Sequence, residues 1–116
     1  MWEDAAVRIT GGMEGDAYVL TVAGELDHED EAEFRDALTV AVQGGSGRLV
    51  VDFSGLEFAD STALHGLLSA QRLLAPQRRE LVVTGPLRAH VARLFEISGT
   101  ADQFSLVDST EATRDR

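Results

Sequence analysis

Short apolar runs alternate along the chain with longer segments in which apolar residues recur at helical spacing. The runs with the length and composition of β-strands are residues 7–10, 18–23, 48–52, 81–84 and 104–107. Turn-forming residues at 11–16 connect the first run directly to the second. We therefore expect these two strands to form an antiparallel hairpin, and the strands that helices connect to be parallel neighbours.

Three segments carry an apolar residue every three or four positions, as one face of a helix does. Glycine-rich residues 44–47, Pro76 and Gly99 follow the three segments and are typical helix terminators. The predicted helices and their apolar stripes are 29–43 with Phe34, Ala37, Leu38, Ala41 and Val42; 61–75 with Leu64, Leu67, Leu68 and Leu74; and 87–97 with Val91, Leu94 and Phe95.

This order of strands and helices predicts an α/β domain. We expect a mixed sheet of four to five strands, opened by the antiparallel hairpin and packed with three to four helices. The chain has 116 residues, which is the length of a single domain that needs no metal or disulfide to fold. Residues 109–116 are expected to form a C-terminal tail, with a capping-box pattern at 108–111.

The start of the second helix carries a concentration of polar groups. Asp60, Ser61 and Thr62 directly precede its apolar stripe, and Asp and Ser are favoured residues at helix N-caps. The first N–H groups of a helix lack intrahelical partners and carry a partial positive charge, so they stabilise a side-chain oxygen or a phosphate. His65 lies one helical turn beyond Ser61 on the same face.

Composition narrows the classes of function. The chain has no cysteine, which excludes disulfides, a cysteine nucleophile and cysteine-based zinc sites, and it has a net charge of -10. That charge disfavours direct binding of nucleic acid, because the local concentration of basic residues is confined to residues 77–79 and nearby Arg72. No apolar run is long enough to span a bilayer, so we expect a cytoplasmic protein without membrane insertion.

The chemistry-bearing residues do not form a familiar enzyme motif. A hydrolase triad of Ser61, Asp27 and either His28 or His90 lacks the two glycines of the G-x-S-x-G elbow. The acidic residues around His28 match neither H-E-x-x-H nor a calcium loop, and a P-loop is absent. We therefore expect a protein that is not an enzyme, with no catalytic residues, no metal and no cofactor.

Three motifs together resemble the anti-sigma factor antagonist family, the STAS domains. They are Gly-Glu-Leu-Asp at 24–27, Asp-Phe-Ser-Gly-Leu-Glu-Phe-Ala-Asp-Ser-Thr-Ala-Leu at 52–64, and Leu-Phe-Glu-Ile-Ser-Gly at 94–99. They occur in the order and spacing of the family, and the resemblance covers nearly the whole chain. It implies a single STAS domain.

The resemblance also implies a bacterial regulator of transcription that works by partner switching. In that family the unphosphorylated antagonist binds an anti-sigma factor serine kinase, a histidine-kinase-like ATPase, and thereby releases a sigma factor. Phosphorylation of the serine that corresponds to Ser61 abolishes binding, and a PP2C-type phosphatase reverses it. The expected partner-binding residues are Asp27, Asp60 and Thr62, which the resemblance carries onto this chain, and His65, which lies one helical turn beyond Ser61.

Ala63 and His65 stand where the family usually has glycine, and Gly66 replaces a more typical aliphatic residue. We hypothesise that His65 contacts the phosphoserine or an acidic residue of the partner. Two alternatives remain open from the sequence: a STAS scaffold subunit of an ABC-type lipid-transport complex that is not phosphorylated, and an enzyme with Ser61 as nucleophile. The oligomeric state, the sigma factor and the signal are not predicted.

Overall fold

The computed structural model describes residues 6–99 and 104–107. Short 3-10 turns at His28–Asp30 and Ala75–Gln77 flank the helices. The remaining elements, in chain order, are β1 (Arg8–Glu14), β2 (Ala17–Leu26), α1 (Glu31–Gly44), β3 (Leu49–Asp52), β4 (Leu56–Ala59), α2 (Ser61–Leu74), β5 (Leu81–Thr84), α3 (Ala89–Ser98) and β6 (Ser105–Val107). The predicted capping box at 108–111 and the predicted tail lie outside the described residues.

The strands form one mixed sheet in the order β1-β2-β3-β5-β6, and β4 pairs with β2 away from this path. β1 and β2 are antiparallel, whereas the pairs β2–β3, β3–β5 and β5–β6 are parallel. The predicted α/β fold, with a mixed sheet opened by an antiparallel hairpin, is therefore confirmed. Among the described residues the sheet has six strands, one more than the upper number predicted, because β4 forms where no strand was predicted.

The hairpin turn is shorter than predicted. β1 continues through Gly11 and Gly12, and Glu14 pairs with Ala17, so that only Gly15 and Asp16 form the connection. Gly15 has a φ of 62°, a conformation that glycine adopts without steric cost. The prediction of a turn over residues 11–16 was wrong because Gly11 and Gly12 belong to β1. Glycine is needed at residue 11 because a Cβ there would lie 2.8 Å from the Tyr18 hydroxyl.

β2 also extends further than predicted, because it changes partner along its length. Its first half pairs with β3, up to Thr21 opposite Asp52. Its last residues pair with β4, beginning with Gly24 opposite Leu56. The register of this pairing shifts between Gly24, which has a φ of 89°, and Glu25. β2 therefore continues past the predicted end of the strand at residue 23, through a bulge at Gly24 and Glu25, and the chain leaves the sheet at Asp27.

One hydrophobic cluster joins the sheet to all three helices. Phe34, Phe53 and Phe95 are among its largest fully buried side chains. The predicted helical stripes are confirmed, since the positions of each stripe are either buried or packed against this cluster. These positions are Phe34, Ala37, Leu38, Ala41, Val42, Leu64, Leu67, Leu68, Leu74, Val91, Leu94 and Phe95.

Arg79 ties the end of α1 to the segment before β5. Its Nε donates to the carbonyl oxygen of Gly47 at 2.7 Å, and its Nη1 donates to that of Val42 at 2.8 Å. A cation at the carboxyl end of a helix is favourable because the last carbonyls carry partial negative charge. One arginine of the basic cluster noted in the sequence thus stabilises the fold. Among the described residues, no helix has the length and apolar content needed to cross a membrane.

α1 and α2 approach each other closely at Gly66. A Cβ at this position would lie 2.5 Å from Cε2 of Phe34 and 3.1 Å from Cδ1 of Leu38. The aromatic ring of Phe34, which is 1% exposed, therefore occupies the space that an aliphatic side chain at residue 66 would need. The glycine that departs from the family pattern is thus explained by packing.

We predict that Gly66→Ala destabilises the protein, although alanine is the better helix former. The added methyl group displaces Phe34, which lowers the free energy of unfolding by about 1–3 kcal/mol. This loss exceeds the stabilisation of roughly 1 kcal/mol expected from the higher helix propensity of alanine. Chemical denaturation measures the free energy of unfolding, with Ser69→Ala on the exposed face of α2 as the control. Phe34→Leu should cost less in the Gly66→Ala background than in the wild type. Additive effects of the two substitutions would contradict this account.

Candidate functional site at the start of α2

The site lies where β2 and β4 end. These strands are parallel, and their register places Leu26 opposite Ala59. The residues that follow, Asp27 and Asp60, therefore leave the same edge of the sheet side by side. The N–H of Asp60 donates to the carbonyl oxygen of Leu26 at 3.3 Å, which fixes the start of α2 against the end of β2.

Asp60 is the N-cap of α2. Its backbone is extended, with φ -111° and ψ -164°, and its Oδ1 accepts the N–H of Thr62 at 2.8 Å. The capping oxygen is therefore the carboxylate of Asp60, and the Ser61 hydroxyl, which the sequence also offered for this role, does not cap the helix. Ser61 is instead the first helical residue.

Ser61 is exposed to solvent, whereas its neighbour Thr62 is buried, with 7% of its surface exposed. In the part of the chain that the structure describes, the Ser61 hydroxyl makes no hydrogen bond. The Thr62 N–H donates to the Asp60 carboxylate, and hydrogen bonding by the Thr62 hydroxyl contributes to lowering the pKa of that carboxyl. Thr62 therefore positions the side chain of Asp60, whereas the Ser61 hydroxyl is accessible from solvent.

Asp27 is half-buried and organises its own turn. Its Oδ1 accepts the N–H of Glu29 at 3.0 Å, and its own N–H donates to Oδ2 of Asp30 at 3.1 Å. This reciprocal pair is a capping box for the 3-10 turn that leads into α1. No group of three or more His, Asp or Glu side chains among residues 6–99 and 104–107 is arranged to hold a metal ion.

Opposing effects act on the carboxyl of Asp60. Burial raises its pKa, but hydrogen bonds from the backbone and hydroxyl of Thr62, and from the backbone of His28, lower it, as does the charge of His28. The lowering effects prevail, so the pKa lies below its ordinary value of 3.8. Asp60 is ionised at neutral pH, and its negative charge lies next to Ser61 in the chain.

His65 is exposed and lies one turn along α2 from Ser61. It lines a narrow cleft of about 40 Å³ between α1 and α2, opposite Glu31 and Arg35. No hydrogen bond joins Ser61 to His28, His65 or His90 among the described residues. The structure therefore brings Asp27, Asp60, Ser61 and His65 to one edge of the domain without forming a catalytic triad.

An aromatic pair beside the site was missed from the sequence. The Phe58 ring, 42% exposed on β4, stacks on the imidazole of His90 from α3, with centroids 5.6 Å apart and planes 30° from parallel. Phe58 precedes Ser61 by only three residues, so the pair borders the candidate site. The available signal was weak, because Phe58 belongs to a four-residue strand interrupted by the charged Glu57.

We predict that the stability contributed by the Asp60 charge is lost in acid. A folded-state pKa below the ordinary value means that this contribution is fully present above about pH 4 and disappears as the pH falls through the lowered pKa. Asp60→Asn retains a capping oxygen but removes the charge. The difference in free energy of unfolding between wild type and Asp60→Asn should therefore narrow in acid. A pH series of denaturation curves, with exposed Asp36→Asn as control, measures it; a difference independent of pH would contradict the prediction.

Comparison with known proteins shows which family this chain resembles. A family profile described as "Mlab, STAS domain" matches residues 9–108. The anti-sigma-B factor antagonist of Staphylococcus aureus is 31% identical over 94 residues, which cover 81% of this chain and 86% of the relative.

Two solved structures share the fold. One is the anti-sigma factor antagonist SpoIIAA in its unphosphorylated form, with TM-score 0.75 and 23% identity over 92% of this chain and 90% of the other. The other is the Bacillus cell fate determinant SpoIIAA in its phosphorylated form, with TM-score 0.68 and 24% identity over 92% and 94% of the two chains. The family profile and the Staphylococcus relative together show that this chain belongs to the STAS domain family, which includes anti-sigma factor antagonists.

Proposed function

We propose that this protein is an anti-sigma factor antagonist whose binding to an anti-sigma factor serine kinase is controlled by phosphorylation of Ser61. The observation that carries the proposal is the exposed hydroxyl of Ser61, which stands at the first position of α2 without a hydrogen bond to another described residue. The name of the Staphylococcus relative and the two forms in which SpoIIAA is known support it.

The fold tolerates a phosphoryl group at Ser61. The positive end of the α2 dipole lies at this position, and anions are stabilised there by roughly 0.3–1 kcal/mol at an exposed site. Ser61 does not cap the helix, so modification of its hydroxyl leaves the bond between Asp60 and Thr62 in place. Phosphorylation therefore changes the surface of the domain and preserves its core.

The surface effect is large because of the neighbouring charges. A phosphoryl group adds about -1.5 to -2 charge at neutral pH, and it does so beside the carboxylate of Asp60 and close to Asp27. A partner that docks over this edge meets added volume, added negative charge and a desolvation cost. A loss of about 1.4 kcal/mol weakens binding tenfold, so a single modification at the centre of the interface is sufficient to release a partner.

The protein in this scheme is the substrate of two enzymes and itself catalyses no reaction. The anti-sigma factor kinase, a histidine-kinase-like ATPase, transfers the γ-phosphoryl group of ATP to the Ser61 oxygen. A PP2C-type phosphatase hydrolyses the ester and restores binding. Asp27, Asp60 and His65 form the partner surface, and Thr62 holds Asp60 within it.

We predict that Ser61→Ala binds the kinase constitutively, whereas Ser61→Asp binds at least tenfold more weakly than wild type, because the carboxylate introduces charge at the interface. Calorimetry with the purified kinase measures both affinities. Ser46→Asp, which places the same charge in the exposed loop before β3, is the matched control and should bind as wild type does.

Both Ser61 variants should unfold within about 1 kcal/mol of the wild type, since aspartate is favourable in the first turn of a helix. Equal affinities of Ser61→Ala and Ser61→Asp would contradict the switch. A chain that instead co-purifies with a transporter ATPase and carries no phosphate would be a STAS scaffold subunit of a lipid-transport complex.

Substitution of His65 provides a separate test of the partner surface next to Ser61. Its exposed imidazole lies one turn from Ser61, close enough to contact a phosphoryl group or an acidic residue of the kinase. We predict that His65→Ala changes either the affinity for the kinase or the rate of Ser61 phosphorylation by about threefold to tenfold, the range of a single charge-assisted contact. Arg93→Ala, which removes an exposed polar side chain from α3, serves as the control. Unchanged affinity and rate in His65→Ala would refute a role for this residue.

A further inference from the structure

A groove opens between α1 and α2 beyond their close approach at Gly66. Its volume is about 300 Å³, and its apolar lining comes from Leu38, Ala70 and Leu73. Leu38 and Ala70 are buried and form the floor, whereas half of the Leu73 surface is exposed. The groove is large enough to receive an apolar side chain from outside the protein.

The charge of the groove is opposite to that of the protein as a whole. The charged residues that line it are Arg35 from α1 and Arg72 from α2, both exposed, in a chain with a net charge of -10. Arg35 also lies 3.3 Å from Glu31, in a pair whose side chains are each 58% exposed. Exposed pairs of this kind are weak, so Arg35 can exchange Glu31 for a carboxylate of a ligand.

The groove is continuous with the candidate site. The narrow cleft beside His65 and the groove share Arg35, Gly66 and Ser69 as lining residues. A partner that covers Ser61 and His65 therefore reaches the groove by extending along α2. Nothing in the path requires the domain to change shape.

We propose that this groove binds an amphipathic segment of the protein partner, with an apolar side chain flanked by carboxylates. The apolar side chain is buried against Leu38, Ala70 and Leu73, and the guanidinium groups of Arg35 and Arg72 pair with the carboxylates, which they can bind in a bidentate manner. The inference relies on the proposed function for the identity of the partner, the anti-sigma factor kinase. The apolar and acidic character of the segment is inferred from the apolar floor and the two arginines of the groove.

The charge is tested by Arg72→Glu, with affinity for the purified kinase measured by calorimetry. Reversal of a charge that faces a carboxylate is expected to weaken binding roughly fivefold or more, and to reduce the dependence of affinity on salt. Arg93→Glu makes the same change in net charge at an exposed position on α3 and should leave affinity unchanged. An equal loss of affinity in both variants would show that net charge causes the effect, and it would contradict binding at the groove.

The apolar contact is tested by Leu73→Ala in the same assay. We expect binding about tenfold weaker, since truncation removes part of the wall against which the anchor packs. Val40→Ala is the matched control, because Val40 is a comparably exposed apolar residue, on α1, that does not line the groove. Unchanged affinity in Leu73→Ala would overturn the proposed anchor.

Comparison with Ser61→Asp separates the two proposals. If Ser61→Asp does not bind the kinase while Arg72→Glu and Leu73→Ala bind it as wild type does, the groove is not part of the interface. The proposal that phosphorylation of Ser61 controls binding is then supported. If Arg72→Glu and Leu73→Ala do not bind the kinase while Ser61→Asp binds it as wild type does, the groove is part of the interface. The proposal that phosphorylation of Ser61 controls binding is then contradicted.

A peptide tests the groove if the kinase does not bind the wild type. The probe is a fluorescein-labelled helix of about 14 residues, four turns, with leucines on one face and glutamates beside them. It should bind the wild type and not Arg72→Glu, and a version with lysine in place of glutamate should not bind. Absence of binding by the glutamate peptide would overturn the inference.

Discussion

The change of partner along β2 determines the geometry of the whole site. This strand pairs with β3 as far as Thr21 and with β4 from Gly24 onward, and the β4 pairing contains a register shift between Gly24 and Glu25. Because β2 and β4 are parallel and end together, Asp27 and Asp60 leave the sheet at one edge. The hydrogen bond from the N–H of Asp60 to Leu26 then fixes the start of α2 at the same place. The position of Ser61 follows from these contacts.

The capping arrangement separates the stability of the helix from the chemistry of its first residue. The carboxylate of Asp60 satisfies the N–H of Thr62, and Thr62 in turn is buried and holds the carboxylate. Ser61 therefore contributes neither to the cap nor to the core, and its hydroxyl is available for modification. A residue in this position can change the charge of the surface while the fold that presents it stays intact.

The sequence predicted those parts of the fold that depend on long, periodic apolar patterns. The three helical stripes are of this kind, since each repeats its pattern over several turns. The hairpin was predicted for another reason, because turn-forming residues connect two apolar runs directly. β4 was missed because Leu56–Ala59 has only four residues, with exposed Glu57 and Phe58 between two buried positions. Its partner is also distant in the chain, so local periodicity carries no sign of the pairing.

The candidate site was predicted in part, for a similar reason. The polar residues at the start of α2 were evident, but the assignment of the capping oxygen to Asp60 depends on backbone angles that the sequence does not show. Contacts between distant segments were also invisible, including the stacking of Phe58 on His90 and the packing of Phe34 at Gly66. The groove between α1 and α2 begins beside that last contact, with Gly66 in its lining.

In the proposed switch, one phosphoryl group on Ser61 controls binding of the partner. The most direct test of this switch is recovery of the complex from native lysate with and without ATP, followed by intact-mass measurement and mapping of the modified residue. The account predicts a stable complex without added ATP, and with ATP a released protein that carries a single phosphoryl group on Ser61. A complex that persists with ATP, or a released protein that carries no phosphate, would contradict it.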